Sequence, residues 1–186
     1  MENPIVYFFN LINGLWNSIV WYNVSIITSN GELDMNKNII YLILTIIGGL
    51  MLMGTTLFTI INWTQMPDQI PLHFDFSGNV TNYGGKAAII PILAIAWVIF
   101  VLMTVIVKFP KTWNIPVAIT KENFERVYGI TRGMMEVVKF EAVLLMIVTI
   151  IAAVKGIDFP VAIMTILIIV ISLTVVIGMY LLFKNK

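Results

Sequence analysis

Four long apolar runs constrain this chain more than any other feature: Ile39 to Ile61, Ala87 to Val107, Val137 to Val154 and Phe159 to Phe183. An α-helix rises about 1.5 Å per residue, so about 20 residues of this kind cross the ~30 Å hydrocarbon layer of a bilayer. Pro91 and Pro160 stand near the starts of their runs, where a missing backbone donor does least damage. The third run is the weakest, because Lys139 and Glu141 lie in its first turns, but Ala142 to Ala153 carries no charge and Thr149 is its one polar residue. With 59% hydrophobic and 11% charged residues, the chain has too little polar surface to cover a soluble globule of its size. The expected fold is an all-α membrane protein with four transmembrane helices, residues 39–186 forming a single four-helix membrane domain.

An amino-terminal segment, residues 1–38, precedes that domain. Pro4 to Ser29 is uncharged and rich in aromatic and aliphatic side chains, yet carries Asn10, Asn13, Asn17 and Asn23. On a helix, Asn10, Asn13, Gly14, Asn17 and Ser18 line one face, while Phe8, Phe9, Ile12, Leu15, Ile19 and Val20 fill much of the rest. The pattern predicts an amphipathic helix lying in the membrane interface, with a fifth span as the rival reading. No basic amino-terminal region or small-residue cleavage pattern suggests a signal peptide.

Four spans place both ends of the domain on one side of the membrane. Lys37, Lys108, Lys111, Lys121, Arg126, Arg132, Lys184 and Lys186 then share a face, against Lys86 and Lys155 on the other. The positive-inside rule makes the first group cytoplasmic. Loop 62–86 is therefore predicted to face outward and loop 108–136 inward, in a multi-pass protein of the cell membrane. The lipid bilayer is its first partner. No basic patch suggests nucleic acid, and the absence of cysteine excludes disulfides, thiolate metal sites and cysteine nucleophiles.

The outward loop carries the richest pattern. Pro67 and Pro71 restrict the backbone and push Met66 and Ile70 toward extended geometry. From Leu72 the chain alternates, so an extended backbone puts Leu72, Phe74 and Phe76 on one face and His73 and Asp75 on the other. Ser77-Gly78-Asn79 reads as a turn, and Tyr83-Gly84-Gly85 permits close approach to the membrane. His73, the only histidine, and Asp75 suit a hydrogen-bonded clasp that stabilises the loop. Contact with a ligand, a protonation switch or part of a metal site are the sharper alternatives, though two ligands do not make a zinc site and Asp68 as a third is a guess.

Met66-Pro67-Asp68-Gln69-Ile70-Pro71-Leu72-His73-Phe74-Asp75, then Gly78, Tyr83-Gly84 and Lys86, resemble the signature of a bacterial membrane domain of unknown function found in toxin-immunity proteins of the SdpI type. A second echo lies at Asn123, Arg126, Tyr128, Thr131 and Met134-Met135, so the likeness runs over roughly residues 40–155. The resemblance implies a helical membrane fold and a ligand-binding role for Pro67, Asp68, Pro71, His73, Phe74, Asp75, Gly78, Tyr83, Gly84 and Lys86.

On the inward side, Thr120 is a plausible N-cap for a helix beginning at Lys121 and running unbroken into the third span, with Glu122 and Arg126 in the favourable i,i+4 order. Glu125, Tyr128, Arg132, Glu136 and Lys139 fall along one stripe, read as a solvated face with snorkelling ends or, alternatively, a docking surface. Glu141 points nearly the opposite way, below the probable boundary, where a carboxylate needs a partner or a proton.

No catalytic motif, phosphate loop or intramembrane aspartate pair is present, so an enzyme is not expected, and no cofactor or metal is implied. The reading that remains is a membrane binding or regulatory protein that meets a peptide, toxin or membrane-protein partner through the outward loop, in toxin immunity or signal sensing. A small transporter component or a membrane-embedded enzyme is the alternative.

Overall fold

The computed structural model describes residues 32–75, 80–156 and 161–185. The proposed interfacial helix of the first thirty residues lies outside them, as does Gly78. Two units divide the chain, Met1–Ile43 and Leu44–Lys186. The first contributes the opening turns of one helix to the described residues, and the second carries all the rest.

Helix α1, Glu32–Ile61, leads into an antiparallel hairpin of β1, Gln69–Phe74, and β2, Val80–Gly85. A short 3-10 turn, Lys86–Ala88, enters α2, Ile89–Ile106. A second 3-10 turn, Pro110–Thr112, and a connector precede α3, Phe124–Lys155, and α4, Val161–Lys184, follows. The expected all-α membrane architecture holds, with one small sheet added: among the described residues four helices are long and apolar enough to cross a membrane.

The helices divide the work unequally. Within its most apolar stretch α3 is 44% buried, whereas the other three are 11–17% buried, so α3 is the central helix. Leu50, Leu57 and Ile60 of α1, Val98 and Leu102 of α2, and Ile166, Ile169 and Val176 of α4 are all exposed. Apolar surface of that extent is stable against acyl chains and not against water. Hydroxyl side chains in the spans close hydrogen bonds within the protein, as hydrocarbon demands. The hydroxyls of Thr55, Thr56, Thr104, Thr149 and Ser172 each donate to the carbonyl one turn back. Trp97 Nε1 donates to Thr56 Oγ1 at 3.0 Å and so ties α2 to α1.

Two apolar clusters mark the ends of the bundle. At the hairpin end, Leu52, Met66, Ile70, Ile89, Ala96, Val143, Ile147, Ile150 and Val154 pack together, with Phe58, Trp63 and Leu72 against them. At the opposite end, Val117, Val127 and Leu182 join the connector to α3 and α4. There α3 begins at Phe124, three residues later than the sequence predicts. Thr120 caps a turn instead of the helix: its N–H donates to Asn123 Oδ1 at 2.8 Å, and Asn123 N–H donates to Thr120 Oγ1 at 3.3 Å. Asn123 is the residue that stands at the helix start. The hydrogen bond from Thr120 also holds the exposed Glu122 carboxyl below its usual range.

Candidate functional site

The hairpin is the densest collection of sequence-predicted residues, and the structure separates them into a buried framework and an exposed rim. An isolated two-stranded hairpin is marginal in water, so something must hold this one. Ile70 is fully buried and Met66 nearly so, both in the cluster between the helices. Pro67 lies against Gly156, the residue that ends α3: a Cβ built on Gly156 would come within 2.6 Å of the Pro67 ring. Gly156 adopts φ 61°, a left-handed conformation that terminates a helix cheaply only for glycine. Gly84 likewise leaves room for Leu72, whose side chain would overlap a Cβ there.

The base of the hairpin is closed twice. Lys86 N–H donates to the Asp68 carbonyl at 2.9 Å, and Lys86 Nζ meets Asp68 Oδ1 at the same distance. The Asp68 side chain is 93% exposed, so the ion pair orients the ends more than it stabilises them.

Pairing runs Gln69 with Gly85, Ile70 with Gly84, Pro71 with Tyr83, His73 with Asn82 and Phe74 with Val80. The register slips on each side of His73: Leu72 has no opposite residue on β2, and Thr81 none on β1. Bulges of this kind re-aim side chains. His73 and Asp75 are exposed, as is Tyr83. Packing of Met66, Pro67, Ile70 and Leu72 holds the hairpin against the helices. Among the described residues no group of three His, Cys, Asp or Glu side chains is placed to hold a metal ion.

A second polar site lies within the bundle, and sequence reasoning misread it. Glu136 and Lys139 were expected on a solvated stripe; both are buried, Lys139 at 1% exposure and Glu136 at 5%. Lys139 Nζ donates to Glu136 Oε2 at 2.6 Å and to Thr45 Oγ1 of α1 at 2.7 Å. Thr45 Oγ1 in turn donates to Glu136 Oε2 at 3.3 Å, closing a three-membered ring of contacts. The ammonium also sits 5.8 Å from the centre of the Phe100 ring on α2. The signal that could have revealed the pair was present: opposite charges three residues apart at the edge of a span, with a threonine available on another span. Glu141, on the same helix, is also buried; its Oε1 accepts from Thr174 of α4 at 2.7 Å, and its Oε2 has no hydrogen-bond partner. The partner expected for that carboxylate is thus a hydroxyl on α4.

Lys108 stands just beyond α2. Burial lowers its pKa most, the nearby charge of Lys139 lowers it further, and Glu136 partly offsets both.

The spans, hairpin and internal pair together describe a multi-pass membrane protein. Over residues 50–107, from the second half of α1 through the hairpin to the end of α2, the chain matches the family model of a domain of unknown function, DUF1648. No curated protein and no solved structure matches the chain.

Proposed function

We propose that this is a binding or regulatory protein of the cell membrane whose hairpin faces outward and recognises a peptide or toxin, with immunity to a secreted toxin as the specific form suggested by the resemblance in the loop. The observation that carries this reading is the division of the hairpin: Met66, Pro67, Ile70 and Leu72 fix it to the helices, while His73, Asp75 and Tyr83 are exposed. A preformed rim of one imidazole, one carboxylate and one phenol presents hydrogen-bond donors, acceptors and an aromatic face at little ordering cost. In this reading Pro67, Asp68, Pro71, Gly84 and Lys86 form the framework that holds those three in place, and Phe74 and Gly78 belong to the ligand-binding set on the strength of the resemblance.

Exposed residues are cheap to replace, with effects usually within about 0.5 kcal/mol on stability. His73→Ala and Asp75→Ala are therefore expected to leave the melting temperature nearly unchanged while abolishing protection of expressing cells against secreted peptide toxins. Unchanged survival with normal folding would remove both residues from the site.

A further inference from the structure

We infer that the end of α2 opposite the hairpin is a binding site for an anionic phospholipid, its phosphate held by Lys108 and Lys111 and its acyl chain laid along the outer face of α2. Three features converge there. Leu102, Val105 and Ile106 are exposed at 53%, 38% and 39%, and their i, i+3, i+4 spacing aligns them in a single stripe, with the exposed Phe109 just past the helix end. Val98 and Val101, also exposed, extend the stripe deeper into the span.

Polar anchors complete the upper end of that stripe. The turn Pro110–Thr112 bends the chain back over the helix end, and Trp113 Nε1 donates to the Ile106 carbonyl at 2.8 Å, which fixes the turn. Aromatic side chains at this level are typical of the headgroup boundary, and Trp113, Tyr128 and Phe124 form a continuous ring contact there. Lys108 and Lys111 follow the stripe directly, and neither is in a salt bridge among the described residues.

The charge count favours an anion. Behind Lys108, Lys139 and Glu136 neutralise each other at 2.6 Å, so the two lysines at the boundary are left as excess positive charge. The charged neighbours of Lys108 on α3, Lys139 and Glu136, are engaged with each other. A phosphate diester supplies the missing negative charge at the depth where a phospholipid headgroup lies, and the stripe below accepts its chain.

The test uses the whole chain purified in a neutral detergent, with melting temperature and retained lipid measured after adding phosphatidylglycerol, phosphatidylcholine, glycerol 3-phosphate or inorganic phosphate. Phosphatidylglycerol is expected to raise the melting temperature by several degrees and to be retained in preference to phosphatidylcholine. Each lysine near a membrane surface is worth about fivefold in that preference, so K108Q and K111Q should each lower it by about that factor and the double variant by more. K111Q, at an exposed position, keeps the test valid if K108Q disturbs folding. Lys155→Gln, at the hairpin end, should change nothing in lipid preference. Equal effects of the two phospholipids, or an unchanged preference in the double variant, would overturn the site. An equal shift from glycerol 3-phosphate or phosphate would assign it to a free anion and overturn the lipid.

Discussion

Glu136→Leu is expected to destabilise the protein by about 3–5 kcal/mol, because it strands the Lys139 ammonium inside the bundle. Lys139 is 1% exposed, and with Glu136 gone its remaining contacts are the Thr45 hydroxyl at 2.7 Å and the Phe100 ring, its centre 5.8 Å away. Neither supplies a negative charge. Lys139→Met should cost a similar amount, since it leaves the carboxylate with the Thr45 hydroxyl as its partner. The double variant Glu136→Leu with Lys139→Met removes both charges together and should recover most of the loss, ending within about 1–2 kcal/mol of the parent or above it. Thermal unfolding of the four proteins in detergent gives the cycle directly. Losses that simply add in the double variant would show that the two groups do not depend on each other.

The second large effect is expected at Gly156. An alanine at φ 61° carries a left-handed penalty of about 1–2 kcal/mol before any contact is considered. Its Cβ would also stand 2.6 Å from the Pro67 ring, so either α3 or the hairpin must shift. Gly156→Ala should therefore cost about 2–4 kcal/mol and expose the hairpin to limited proteolysis. Adding Pro67→Ala should relieve the contact and restore the protease resistance in part, while the backbone penalty stays. Gly54, in α1, is the control: nothing lies within 4 Å of a Cβ placed there, and Gly54→Ala should be neutral or slightly stabilising. Equal losses at Gly54 and Gly156 would point to a general intolerance of alanine rather than to this contact.

Length and charge made the spans legible, because a bilayer admits only chains that satisfy their own backbone, and an uncharged run of that size has few other fates. The hairpin was legible in part. Pro67, Pro71 and the alternation after Leu72 pointed to extended chain with a turn, but the slips around His73 depend on how Leu72 meets Gly84, and that contact is tertiary. The stripe of Glu125, Tyr128, Arg132, Glu136 and Lys139 shows the limit of periodicity. Spacing states which residues share a face; it does not state what covers it. In the fold it is Thr45 of α1 that meets Glu136 and Lys139, 91 and 94 residues further along the chain. The role of Pro67 was missed for the same reason, since its partner Gly156 closes a different span.

An outward recognition surface requires the hairpin and the α2–α3 connector to lie on opposite sides of the membrane, with the hairpin outside. The chain has no cysteine, so single thiols at Thr81 in β2 and Asn114 in the connector, both exposed positions, report without background. In intact cells an impermeant maleimide should label Thr81→Cys and leave Asn114→Cys unlabelled until the membrane is opened. Labelling of Asn114→Cys but not Thr81→Cys in intact cells would place the hairpin inside and contradict the account.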